Sequence, residues 1–321
     1  MLSAPTQPAG SRAPTAGPEP APEVLARLRT APTFAAGPLL VEDLPGGLTN
    51  HNVKVTTADG VYVARLSDPS GAMLSIDRHA EYLNSVAAAA AGAAPEVVDH
   101  VPEAGLLVVR WVEGRTFTPD DVRRPENLPR IAAACRTLHA GPRFTGDFDM
   151  FAVRRAYLDV VLRHGFRLPP RYRDFEPALE EVRRALAVRA VGTVPCNNDL
   201  LAANMIDDGD RIWLIDYEYA GNNDACFELG NIWSESELEP EALDALVTAY
   251  DGRALRHRVA RARLYALVAR YGWTLWASIQ DGVSPLDVDY WSWGTAKYES
   301  AVAEFEGPGL RRLLEDAVRD D

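Results

Sequence analysis

Cys196-Asn197-Asn198-Asp199-Leu200-Leu201-Ala202-Ala203-Asn204, followed after the next apolar run by Ile215-Asp216-Tyr217-Glu218, decides the reading of this chain. Asp199 and Asn204 flank four residues. Met205-Ile206, a turn at Asp207-Asp208-Gly209-Asp210, and Ile212 to Ile215 predict a β-hairpin. Asn204 lies just before its first strand and Asp216 just beyond its second. An antiparallel hairpin brings those two ends together. One amide and one carboxylate therefore converge at its open end, with Asp199 one short loop away. Asp-x4-Asn alone is a weak signal, since Asn204 capping a turn and Asp216 ending a strand would also explain it. The apolar strand and the phrase Ile-Asp-Tyr-Glu-Tyr-Ala-Gly that follow make it specific.

This set of side chains suits phosphoryl transfer. Magnesium is a hard ion that takes oxygen ligands, often one or two from protein and the rest from nucleotide phosphates and water. Asn204 and Asp216 are the candidate metal ligands. Asp199 is the candidate catalytic base, able to orient an attacking hydroxyl and accept its proton. The spacing is that of the protein-kinase catalytic loop, and Asp216 takes the place of the metal-binding Asp there.

Upstream, the pattern from Leu39 to Leu66 is β, with Gly46-Gly47 between extended runs and Asp59-Gly60 as a hairpin signal. Residues 76 to 91 read as a helix with Ile76, Ala80, Leu83 and Ala87 on one face. Leu106 to Trp111 is a further apolar strand. A short helix is expected at Glu23 to Arg29, after a Pro-, Ala- and Gly-rich stretch over residues 1–22 that reads as a disordered tail. Beyond Gly114 the signal turns helical. Asn127 is placed to cap a helix carrying Leu128, Ile131, Cys135 and Leu138 and ended by Gly141. More helices are expected at 151–165, 176–189, 241–250, 254–280 and 294–305.

Bulk properties narrow the function classes. A chain of 321 residues is long enough for two lobes with real cores. A net charge of -13 argues against a nucleic-acid partner, because such affinity is largely cationic neutralisation of phosphate; it suits a cationic ligand. Three cysteines without metal-ligand spacing exclude a disulfide scaffold and fit a reducing cytoplasm. No run of ~18 apolar residues predicts a membrane span, and no signal peptide is evident. The histidines show no H-E-x-x-H, and there is no G-x-S-x-G, so zinc and serine hydrolases are rejected. His139 reads as a packed helix residue.

Asn198-Asp199-Leu200-Leu201, Asn204, Leu214 to Gly221 and Phe227-Glu228-Leu229-Gly230-Asn231 together resemble the choline and ethanolamine kinase signature. That signature belongs to the aminoglycoside phosphotransferase superfamily, and the resemblance runs from Leu44 to about Phe305. It departs at Asn197, where the family has His, and at Glu228, where it has Asp. The family's His has a structural role, so activity is expected to survive. The resemblance implies an α+β, protein-kinase-like two-lobe fold. Residues 23–113 would form a nucleotide-binding lobe with a small antiparallel sheet and one helix, and 114–321 a mainly helical catalytic and acceptor-binding lobe.

It also implies ATP and Mg2+ as cofactors. Gly46, Gly47, Thr49 and Asn50 would cover the nucleotide. Arg65 stands where protein kinases place their phosphate-binding Lys, with Glu81 as its partner, and a guanidinium suits both carboxylate and phosphate. Arg110 and Trp111 would lie at the adenine-holding hinge. For the acceptor, the resemblance points to Glu218, Tyr219, Glu235, Trp273, Trp276 and Tyr290. A quaternary ammonium has no N–H to donate, so aromatic faces and carboxylates must hold it. Choline is the leading acceptor, with ethanolamine and thiamine close behind. The alternatives are an antibiotic phosphotransferase of aminoglycoside type and a non-catalytic pseudokinase. Oligomeric state stays open.

Overall fold

The computed structural model describes residues 20–44, 50–67, 73–74 and 76–320. The expected tail up to Glu19, and Gly46, Gly47 and Thr49 of the glycine turn, lie outside them. Helix α1 (Pro22–Leu28) begins with Pro in its first turn, where a missing N–H removes no helical bond. Strands β1 (Leu40–Asp43), β2 (Asn50–Thr57), β3 (Gly60–Ser67), β4 (Val97–Val101) and β5 (Leu106–Arg110) form one antiparallel sheet in the order β1-β2-β3-β5-β4. Thr57 pairs with Gly60, so the hairpin loop is Ala58-Asp59, one residue earlier than the Asp-Gly signal indicates. Val53, Val55, Ala64, Leu66 and Val108 alternate inward and pack with Leu28 and Phe34. Every residue of β4 is half-buried, so it lacks the two-residue alternation that would have announced it.

Helix α2 (Arg78–Ala90) is capped by the Asp77 carboxylate, which accepts from the His79 and Ala80 amides. Its inner face is not the apolar one expected. Glu81, Asn84, Ser85 and Ala88 are buried, while Leu83 is exposed. The reason is position: α2 is wedged against the second lobe, where polar groups are needed. Asn84 Nδ2 donates to the Ala220 carbonyl and Asn84 Oδ1 accepts from the Thr145 amide, both at 2.8 Å.

The second lobe begins with β6 (Arg115–Thr116), α3 (Pro119–Arg123) and α4 (Leu128–His139). Leu128, Ile131, Cys135 and Leu138 are buried as expected, but Asn127 does not cap α4. Its Nδ2 donates instead to the Asp121 carbonyl at 2.8 Å. Gly141 is not a left-handed cap either; a Cβ there would lie 2.5 Å from that of Ala91, so this glycine lets the ends of α2 and α4 meet. Then come α5 (Met150–His164), α6 (Glu176–Val188), β7 (Val194–Cys196), β8 (Met205–Asp207), β9 (Ile212–Leu214) and β10 (Gly221–Asn223). The chain continues through α7 (Ala225–Glu235), α8 (Pro240–Asp251), α9 (Arg256–Val283), α10 (Tyr290–Phe305) and α11 (Gly309–Ala317).

Helices α5, α6, α8, α9 and α10 answer to the five expected segments; α10 starts four residues early because Asp289 accepts from the Ser292 amide. Helix α7 had no amphipathic signal because residues 225 to 234 are all buried. Two close crossings set the geometry around the site. A Cβ on Gly230 would sit 2.1 Å from the Ala262 carbonyl oxygen, and one on Gly294 would sit 2.4 Å from the Ala277 Cβ. Both α7 and α10 are thereby drawn tightly onto α9. Among the described residues, no helix is long and apolar enough to cross a membrane.

Candidate active site

The β8–β9 register pairs Met205 with Leu214, and the Ile215 amide donates to the Asn204 carbonyl at 3.0 Å. Asn204 and Asp216 therefore meet at one end of the hairpin. Both line a cleft of about 440 Å³ between the sheet and the second lobe. Its walls carry Val63, Leu107, Ile206 and Ile215, apolar surfaces suited to a flat ring. Arg110 and Trp111 line the same cleft. However, the Arg110 guanidinium is committed to Glu96 at 2.9 Å, and the Trp111 ring carries the Lys54 ammonium 4.5 Å from its centroid.

The loop holding Asp199 is fastened from behind. Glu228 accepts from the Asn197 and Asn198 amides at 3.0 and 2.7 Å. Asn198 adopts left-handed φ of 68° and bonds the Cys196, Tyr219 and Gly221 carbonyls through Nδ2. Asn197 Nδ2 donates to the Ile215 and Asp216 carbonyls. The bond to Asp216 fixes a second left-handed residue, φ 64°. His139 is buried behind this loop, its Nδ1 at 2.7 Å from the Tyr250 hydroxyl, a packed residue as expected.

Among the described residues no hydrogen bond reaches the Asp199 carboxylate, although Asn204 Nδ2 donates to the Asp199 backbone carbonyl at 2.8 Å. Burial pushes the Asp199 carboxyl well above the usual carboxylate range, with Glu235, Asp216 and Glu218 adding to the push and Lys297 opposing it. Asp216 is pushed up to about 6, by burial first and against the pull of Arg65. Its side chain keeps 35% exposure, which leaves an oxygen reachable from the cleft.

Arg65 meets Glu81 as expected, with Nη1 2.7 Å from Oε1, a charge contact rather than a directed hydrogen bond. The same Nη1 lies 2.9 Å from Asp216 Oδ1 and 3.3 Å from Glu218 Oε1. Arg78, which sequence reasoning missed, bridges Glu81 at 2.8 Å and Glu218 at 3.1 Å. Asn50 joins them, accepting from Arg78 Nη2 at 3.0 Å and donating to Glu218. Among the described residues, Glu218 thus meets this arginine cluster rather than the aromatic rings. The cause is its place directly after the turn at Asp216, which faces the first lobe.

The remaining acceptor residues do come together. Trp276 Nε1 donates to the Tyr219 hydroxyl at 2.8 Å. Tyr219 packs edge-on against Trp273 at 5.0 Å, and Trp276 against Tyr290 at 5.8 Å. Trp293 adds a further wall, 5.6 Å from Trp276. Glu235, the nearest in effect of the charges on Asp199, binds the Lys297 ammonium at 2.6 and 2.7 Å. Trp293 and Lys297 could have been found by spacing, since 290, 293 and 297 share one face of a helix.

The fold, with Asn204 and Asp216 lining the cleft and Asp199 on the adjoining loop, is that of a class of proteins with which comparison agrees. Residues 41–264 match the model of the phosphotransferase enzyme family, and the chain belongs to that family. It is a kinase of the choline/ethanolamine kinase type. The crystal structure of a choline/ethanolamine kinase family protein from Mesorhizobium loti superposes with a TM-score of 0.79 at 31% identity, covering 92% of this chain and 98% of that one. Protein LicA of Haemophilus influenzae is 26% identical over 251 residues, 74% of this chain and 72% of its own length. Ethanolamine kinase 2 of Mus musculus is 27% identical over 252 residues, 70% of this chain and 65% of its own length.

Proposed function

We propose that this kinase transfers the γ-phosphoryl group of ATP, with Mg2+, to the hydroxyl of a small cationic amino alcohol, choline foremost. The observation that carries the acceptor assignment is the aromatic wall of Tyr219, Trp273, Trp276 and Tyr290 in the second lobe, with acidic Glu235 close to Asp199. Such a site holds a cation that has lost its water.

Asp199 is the proposed base: it is half-buried, and its carboxylate is unencumbered by other side chains among the described residues. The burial that raises its affinity for a proton also suits it to take one from the acceptor hydroxyl. Asn204 and Asp216 offer the hard oxygens that a magnesium site takes, and Asp216 already draws a cation, Arg65. Bound there with ATP, the metal would supply charge neutralisation on the phosphates. Arg65, held by Glu81, is the proposed phosphate-positioning residue. Because Glu218 also contacts Arg65 and Arg78, it orients that cluster and does not touch the acceptor.

An ADP-release screen over choline, ethanolamine, thiamine and several aminoglycosides tests the proposal. Choline or ethanolamine as the preferred acceptor supports it. A preferred aminoglycoside would replace the acceptor while leaving Asp199, Asn204 and Asp216 their roles. No Mg2+-dependent ATP turnover with any of these acceptors would reject it.

A further inference from the structure

Beside the aromatic residues assigned to the acceptor's cation stands a cation of the chain itself. Lys297 Nζ lies within 2.7 Å of both Glu235 oxygens and 4.4 Å from the centroid of the Trp293 ring. A carboxylate plus an indole face is the set of contacts a substrate ammonium would use. Trp293 abuts Trp276, and Trp276 abuts Tyr290, so the ammonium sits against the same aromatic wall. This is no solvated surface pair: the two side chains are 12% and 5% exposed. Nor is Lys297 remote from the reacting centre, because its charge is felt at Asp199. Lysine's charge rides on a flexible four-carbon stem, so it can give up one partner without moving its helix.

We propose that Lys297 is a tethered competitor for the acceptor's cationic head group. It holds Glu235 and must release it for the acceptor to bind. Lys297 is then a residue that sets acceptor affinity. It lowers affinity for every cationic acceptor and keeps Glu235 correctly placed between turnovers. The inference rests on the reading that the acceptor is a cation held among these aromatic rings. It does not rest on which amino alcohol that is.

Tetramethylammonium separates the two ideas, since it carries the head group and no hydroxyl. Its binding to the full chain is titrated by tryptophan fluorescence in wild type, Lys297→Gln, Lys297→Met and Lys297→Arg. Removing a like charge that shares the acceptor's carboxylate should tighten binding at least about fivefold in the Gln and Met variants. The Arg variant should bind within about twofold of wild type, because the charge stays. Glutamine can still donate to Glu235, so Lys297→Gln decides the matter if Lys297→Met does not fold. Unchanged or weaker tetramethylammonium binding in Lys297→Gln overturns the proposal, and points to Lys297 as a support for Glu235 only. Tighter binding in that variant, in an enzyme that phosphorylates no amino alcohol, sustains the role of Lys297 and overturns the choline reading instead.

Discussion

Asn197 Nδ2 donates to the backbone carbonyl of Asp216 at 2.7 Å, tying the loop of Asp199 directly to the turn of Asp216. The same side chain accepts the Asp199 amide through Oδ1 at 3.1 Å. One buried amide thus holds both acidic residues in register, and it does so at the position where the signature that the sequence resembles has a histidine.

Replacing it should therefore damage stability and rate together. Asn197→Ala leaves the Ile215 and Asp216 carbonyls and the Asp199 amide without this partner, at a cost of about 1–3 kcal/mol. Turnover should fall by roughly tenfold or more, because the reacting groups lose their common anchor. Asn197→His can restore one donor and should recover most of the activity. Urea unfolding and steady-state kinetics check both statements. An alanine variant as stable and as fast as wild type would show that Glu228 alone holds the loop.

Asp199→Ala isolates the proposed base. Among the described residues its carboxylate bonds to no other side chain, so its loss should leave the fold intact. It removes a carboxylate kept protonatable by burial. Turnover should drop at least about a hundredfold, within the usual range of general-base effects. Nucleotide affinity should stay within a fewfold of wild type. Near-normal turnover would take Asp199 out of the role.

Arg65→Ala tests the first lobe. With Arg65 gone, Glu81, Asp216 and Glu218 face one another with Arg78 as the remaining cation of the cluster. Their mutual repulsion should disfavour anionic phosphates. The KM for ATP should rise more than the KM for the acceptor, by at least about tenfold. An effect confined to the acceptor would show that Arg65 serves the other half of the site.

How much of this was written in the chain depends on the kind of signal. The hairpin bracketed by Asn204 and Asp216 was legible because strand order alone forces its two ends together. The Arg65–Glu81 contact was expected from the likeness to kinases, which pair a basic residue on a strand with a Glu on the following helix. Glu218 was misplaced, since one residue separates side chains that face opposite lobes, and only the left-handed turn at Asp216 settles which way each one faces. Helix α2 misled by its alanines: at an interface between lobes, polar Glu81 and Asn84 are the buried residues. Lys297 was passed over because a lysine on a predicted helix ordinarily points to solvent, and the carboxylate that holds it lies 62 residues away.

Trp276 is the ring whose substitution best tests the acceptor site, and phenylalanine is the substitution to make. Trp276 is 6% exposed and packs on Tyr290 and Trp293, so Trp276→Ala would open a cavity costing about 3–5 kcal/mol and confound the result. Trp276→Phe keeps a ring in place. It removes the N–H that holds the Tyr219 hydroxyl and presents a weaker π face to a cation. The loss should be about 0.5–1.4 kcal/mol, or roughly two- to tenfold in acceptor affinity. The KM for choline should rise by that factor while the KM for ATP is unchanged, because the nucleotide cleft is lined by other residues. Trp273→Phe, which meets Tyr219 edge-on, should act in the same direction. Steady-state kinetics with each substrate varied in turn gives the comparison, and thermal unfolding confirms that the variants are folded. Equal changes for choline and ATP would mean that the ring supports the lobe and does not face the acceptor. No change in either would remove Trp276 from the pocket.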